Sequence, residues 1–148
     1  MKFNDDGSLD FDDISSIRID LLNQHLGELM EGKTIKVPIY DFKAGKPREN
    51  QFTEMKLESK DTVIVMEGIH CLNEKLTEKI PKENKYKIFA SAFSQLNIDE
   101  TRFVSNSTNR LCRRLVRDFK YRGSSPQQTF TQWKSVRRSE HKYIFPYM

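Results

Sequence analysis

Two short apolar runs constrain the fold of this chain most: TVIVM at 62–66 and YKIFASA at 86–92. Both are continuous rather than alternating and rich in β-branched or aromatic residues. A strand apolar on both faces has to be covered on both, which is the situation of a parallel sheet with helices above and below it. Residues 72–80 lie between them, have the length of a short helix and stop at Pro81. Strand, helix, strand at this spacing predicts a crossover unit and a parallel α/β architecture. The 148 residues fit one domain with its own core, so neither disulfides nor a structural metal is required.

Around this centre the local signals are clear. Residues 1–8 lack periodicity and read as a loop. Asp12 and Asp13 precede Ile14, Ile17, Leu21, Leu22, Leu26, Leu29 and Met30, a helical spacing for which one of the two aspartates is the N-cap and Gly32 the stop. Residues 34–42 alternate as a strand, with Pro38 placing it at an edge. A loop is expected over 43–50, and the alternating residues 51–57 are expected to pair with the preceding strand. Residues 94–108 are polar and read as loop with some helix. Ser124, Ser125 and Pro126 open a further helix whose buried face is expected at Phe130, Trp133 and Val136. From Tyr143 the chain runs apolar without a terminating signal.

Charge is unevenly distributed. From Thr101 onward there are 11 basic and 2 acidic residues, net +9, whereas the first hundred residues hold 14 basic and 19 acidic, net −5. Such polarity suits phosphate or nucleic acid at one site. The basic residues concentrate in RLCRRLVRDFKYRG at 110–123, with five arginines, one lysine and a single acid, Asp118. On a helix, Arg110, Arg113, Arg114 and Arg117 share one stripe and Leu111, Leu115, Val116 and Phe119 lie opposite, so one face is expected to pack and the other to meet negative charge. A solvated arginine face is the plain alternative. Cys71 and Cys112 are far apart, with no ligand-spaced partners, and are expected to be core thiols. His25, His70 and His141 read as structural or surface residues. The opening MKFNDDGS has no signal-peptide pattern and no apolar run reaches spanning length, so a cytoplasmic protein without a membrane partner is expected.

GELMEGKT at 27–34 satisfies the phosphate-loop pattern letter for letter, but the context is inverted. A phosphate loop leaves a strand and opens a helix, so that backbone N–H groups converge on the phosphates. Here the pattern closes a helix and precedes a strand, and Glu28 and Glu31 would repel phosphate. Glu67 is better placed, because an acid past the end of a buried parallel strand lies where nucleotide enzymes hold magnesium.

Taken in order, LDFDD, EGKTIKVPIYDF, VIVMEGI and RLCRRLVRDFKYRG resemble the uridine kinase and phosphoribulokinase family over residues 9–146. SQLNID and SVRRSEHKYIFPY further resemble uridine-kinase-like domains of longer bacterial proteins with a threonyl-tRNA-synthetase-like region upstream. The resemblance implies an α/β fold: a partial P-loop NTPase-like parallel sheet flanked by helices, with a small β-hairpin and an arginine-rich helical lid. It implies transfer of the γ-phosphoryl group of ATP to a nucleoside 5′-hydroxyl, with ATP and Mg2+ in the intact protein. Carried over to this sequence, Asp12 is the base and a metal ligand, Glu67 the second metal acid, and Arg114 and Arg122 the catalytic lid arginines. Tyr40, Phe42, Arg117 and Gln132 contact the nucleoside.

Two departures accompany this. The family's phosphate loop lies upstream of the position matching Leu9, and its last strand and helix lie beyond Met148. Residues 1–148 are therefore expected to be a single incomplete domain, inactive alone and without a cofactor of its own. Where pyrimidine kinases carry a base-recognising histidine after YDF, the sequence reads KAGKPR with Gly45, leaving the choice of nucleoside open. A degenerate kinase domain with a regulatory role and a nucleic-acid module using the arginine helix are the alternatives, though the absence of a nucleic-acid motif disfavours the latter. An uncovered sheet flank would also permit self-association.

Overall fold

The computed structural model describes residues 3, 7, 10–42, 44–59, 61–90 and 98–147. Three helices and one hairpin organise them. Asp13 caps a 3-10 turn, Ile14–Ser16, by accepting from the Ser15 N–H at 3.0 Å. The chain then breaks at Ile17 and Arg18 before α1, Ile19–Met30, so the long amphipathic stretch is a turn followed by a helix. Gly32 ends α1 at φ 77°, with its N–H on the Leu29 carbonyl and the Lys33 N–H on that of Glu28. These bonds form a Schellman closure, which needs the left-handed residue glycine supplies. GELMEGKT is thus the end of a helix, and it leads into strand β1, Ile35–Asp41.

Strand β1 pairs antiparallel with β2, Lys46–Met55, through a register shift between Pro38 and Tyr40. The expected loop is therefore shorter than eight residues, because β2 already starts at Lys46. Asp41 makes the turn by accepting from the Ala44 N–H at 3.1 Å, and Gly45 adopts φ 66°.

The expected parallel sheet is not formed among the described residues, where the only sheet is this hairpin. Residues 62–67 and 85–90 carry no strand pairing. Val63 and Val65 are 81% and 88% exposed, Tyr86 and Ile88 91% and 75%. The apolar runs state what these segments could bury, but a parallel strand exists only where neighbouring strands hydrogen-bond to it. Residues 91–92 of the second run lie outside the described residues, as does 94–97 of the expected polar loop. The helix expected at 72–80 is a single 3-10 turn, Glu74–Thr77, followed by another at Lys82–Asn84.

Helix α2, Asn106–Arg117, starts at Ser105, whose side chain accepts from the Thr108 N–H. It widens into a π-type turn, Asp118–Arg122, closed by Gly123 at φ 68°. Helix α3, Pro126–Tyr143, begins with a full capping box: the Gln128 N–H donates to Ser125 Oγ and the Ser125 N–H to Gln128 Oε1. A 3-10 turn, Phe145–Tyr147, closes the described chain, where no terminating element was expected.

The core is small. It gathers Leu26, Leu29, Ile35, Leu76, Ile80, Val136 and Tyr143. Asn23 joins α1 to the 3-10 turn, donating to the Leu76 carbonyl at 3.0 Å and accepting from the Lys79 N–H at 3.1 Å. Helix α2 buries no residue, and Val116 and Phe119, expected to pack, are exposed, as is Phe130 on α3. Cys112 is exposed rather than a core thiol. In their place α3 buries the polar residues Thr129, Ser135, Ser139 and Glu140. No described helix is long and apolar enough to cross a membrane.

Candidate functional site

The aspartates at 10–13 are fixed by partners remote in sequence. Asp10, buried, accepts from the Asp12 N–H at 3.1 Å. The Asp12 carbonyl oxygen lies 3.1 Å from His70 Nε2 and accepts from Ser139 Oγ at 3.2 Å. Asp13 Oδ2 accepts from Tyr143 Oη at 2.9 Å and Lys142 Nζ at 3.2 Å. The His70 and Tyr143 rings meet edge to face, centroids 4.5 Å apart. Asp13 is the N-cap, which leaves the Asp12 side chain free of that duty.

The two side chains differ electrostatically. Burial pushes the Asp12 carboxyl above its ordinary range, Arg114 draws it back, and Asp10 adds to the rise. Burial pushes the Asp13 carboxyl the same way but is overridden by the hydrogen bonds from the Ser15 N–H, Tyr143 and Lys142, which leave it well below the usual carboxylate range. Burial likewise lowers His70 against the pull of the Asp12 carbonyl.

Facing Asp12 is a second corner built on Asp118, which is only 3% exposed. Its carboxylate meets Arg117 Nε at 3.0 Å, Arg114 Nε at 3.2 Å and Arg122 Nη1 at 3.4 Å. The Arg114 contact satisfies distance but not direction, leaving that buried nitrogen without a hydrogen bond. Three guanidiniums on one carboxylate leave net positive charge, and Asp12 feels Arg114 and Arg117 directly. Burial, and then Arg117, lower the Arg122 pKa. The Arg122 guanidinium also lies 4.8 Å from the Phe42 ring centroid, and Phe42 meets Tyr40 edge to face at 5.2 Å. A methyl group built on Gly45 would lie 3.8 Å from the Phe11 ring, so the hairpin tip rests beside the residue preceding Asp12.

Asp12, Arg114, Arg117 and Arg122 thus share one neighbourhood, with Phe42 and Tyr40 joined to it through Arg122. Glu67 is exposed, and its charge is felt at Cys71, whose thiol is raised first by burial and then by Glu67. Gln132 is exposed on α3, on the face of Ser139 but two turns earlier. Among the described residues neither makes a hydrogen bond or ion pair with the group. Arg110 pairs with buried Glu140 at 2.6 Å, and Arg137 with the same carboxylate, tying α2 to α3. Between these helices lies an open groove of about 590 Å³ lined by Arg113, Arg117, Tyr121, Trp133 and neighbouring residues. The described residues contain no group of three His, Cys, Asp or Glu side chains that could hold a metal.

Sequence reasoning missed two of the organising residues. His70 carried no signal, because its contact with Asp12 spans 58 positions. Asp118 had one: it is the lone acid of a basic segment, four residues from both Arg114 and Arg122.

Comparison with known proteins agrees with the motif order. The model of the Phosphoribulokinase / Uridine kinase family matches residues 2–148. Uridine kinase of Brevibacillus brevis is 34% identical over 128 residues, covering 86% of this chain and 50% of the relative. Uridine kinases of Halalkalibacterium halodurans and Clostridium novyi are 31% and 30% identical over 147 residues, 99% of this chain and 57% and 61% of their own lengths. The chain spans about half the length of the first of these relatives. The synthetase-like region expected upstream finds no support among them.

Proposed function

Because this chain belongs to the phosphoribulokinase / uridine kinase family, we propose that it supplies the acceptor-binding and lid portion of an ATP-dependent nucleoside kinase of the uridine type. The reading places the P-loop NTPase fold in the intact protein. The observation that carries it is the proximity of Asp12 to the arginine corner: a carboxylate whose basicity is raised by burial lies within the field of guanidiniums that can neutralise the charge of a transferring phosphoryl group. A base with pKa moved toward the working pH takes a hydroxyl proton more readily. Phosphoryl transfer otherwise asks mainly for alignment and neutralisation of spreading negative charge. Arg114 and Arg122 suit that task because the planar guanidinium contacts phosphate oxygens in pairs.

In this reading Asp12 accepts the proton of the nucleoside 5′-hydroxyl as the hydroxyl oxygen bonds to the γ-phosphorus of ATP and the bond from that phosphorus to the β–γ bridging oxygen breaks, with ADP leaving. Tyr40 and Phe42 flank the nucleoside, whose base meets Gly45 rather than a histidine. Magnesium, which the family employs, would draw on Asp12 and Glu67, and the described residues contain no group of three acidic, His or Cys side chains that could hold it by themselves. No step is therefore assigned to it.

In the full-length protein, Asp12→Asn should lower transfer of labelled phosphate from ATP to uridine by roughly 10²- to 10⁴-fold. Calorimetric binding of uridine should be retained. Transfer within a few-fold of the unsubstituted protein would refute Asp12 as the base.

A further inference from the structure

The grip on the Asp12 main chain serves no purpose in a plain N-cap. Asp13 does the capping, and Asp10 already takes the Asp12 N–H. Yet two side chains from distant parts of the chain, 58 and 127 positions away, come to one carbonyl oxygen. A carbonyl only accepts, so His70 Nε2 has to carry the proton and donate. The other ring nitrogen, Nδ1, is buried without a partner, and the residue is only 5% exposed. If the ring merely filled space against Tyr143, phenylalanine would do so without stranding a polar atom. The histidine keeps that unmet acceptor in return for one directed bond, and the bond ends on Asp12.

Ser139 makes the complementary contact from α3. It sits one turn before Lys142 and Tyr143, which hold Asp13. Helix α3 therefore takes two successive aspartates, one by its main chain and one by its carboxylate. The loop 68–71 holds the first of them from another direction.

We propose that His70 and Ser139 are positioning residues that fix the peptide of Asp12, and through it the direction in which its carboxylate meets the acceptor hydroxyl. The catalytic consequence rests on Asp12 acting as the base; the grip does not. Near-attack geometry is sensitive enough that a displacement of about 1 Å can cost on the order of 10²-fold in rate.

The test separates the two. In the unsubstituted chain, ring 15N spectra should show His70 protonated at Nε2 and bare at Nδ1; the opposite tautomer would overturn the proposal without any variant. His70→Phe combined with Ser139→Ala keeps the ring volume and removes both donors. Backbone 15N relaxation should then show the order parameter of residues 11–13 falling from about 0.85 toward about 0.6, with α1 and α3 unchanged. His70→Gln, which retains a donor near the Nε2 position, should restore it in the Ser139 background. An unchanged order parameter in the double variant, or a glutamine variant no better than phenylalanine, would sink the grip. In the full-length protein the double variant should lose roughly 10- to 100-fold in kcat with little change in KM for the nucleoside. Lost order with unaffected turnover would overturn the role of the grip in aiming the carboxylate, while transfer left intact by Asp12→Asn would instead remove Asp12 as the base.

Discussion

The two acidic corners that face each other across this site are held by opposite means. At Asp10–Asp13 the bonds are directional and mostly neutral: main-chain N–H groups, a phenol, a serine hydroxyl and an imidazole, with one ammonium at Lys142. At Asp118 every side-chain partner is a charged guanidinium: Arg117 and Arg122 donate hydrogen bonds to it, and Arg114 meets it by charge without hydrogen-bond direction. Directional bonds fix a geometry, whereas charge pairs tolerate an exchange of partners. The difference separates a corner held mostly by neutral donors from one held by guanidiniums alone. Asp12 is held by direction, whereas the buried Asp118 carboxylate depends on its guanidiniums for charge compensation.

The comparison breaks most directly at Asp118. Asp118→Ala leaves three guanidiniums together with no counter-charge, and urea unfolding should show a loss of about 3–5 kcal/mol. Added salt should recover part of it by screening the guanidiniums from one another. A loss under 1 kcal/mol would mean that solvent already does most of the neutralising. Next in size, Tyr143→Phe removes a hydrogen bond to a carboxylate and should cost about 1.5–3 kcal/mol in the same measurement, with no salt recovery. A salt response equal to that of Asp118→Ala would erase the distinction drawn between the corners.

The pH dependence sharpens the same point. The folded Asp13 carboxyl lies below its ordinary value of 3.8. Its contribution is therefore present above that value and is lost as pH falls below it. The gap between the native chain and Tyr143→Phe should be full near about pH 6 and narrow toward about pH 2. Asp12, raised instead, moves the other way, because acid relieves its burial. Smaller still, Phe42→Ala removes the Arg122 contact at the hairpin tip and should cost about 0.5–1 kcal/mol. Val63→Thr, in an exposed extended segment, should stay within about 0.5 kcal/mol; a larger loss would show that segment to be packed.

What the sequence made legible was whatever a few neighbouring residues decide. The stop at Gly32, the helix start at Ser125 and Pro126, the pairing of β1 with β2 and the helical arginine stripe all depend on partners within a few positions. The misreadings came from burial, which is settled at a distance. TVIVM has the composition of an inner strand, yet composition cannot supply the strands on either side. Val116 and Phe119 have the spacing of a packed face, but the described chain brings nothing over them. The site divides the same way. The spacing of Arg114 and Arg117 was readable along one helix, while the hold of His70 and Ser139 on Asp12 joins three separate parts of the chain.

The groove between α2 and α3 has one further consequence. Its half-buried indole, Trp133, is the single tryptophan of the chain and shares the lining with Arg113 and Arg117. Excited at wavelengths that tyrosine scarcely absorbs, the protein emits from that one place. A phosphorylated ligand that drew the arginines aside would change the polarity around the indole. Occupancy of the groove can thus be followed optically in the native chain, with no label attached.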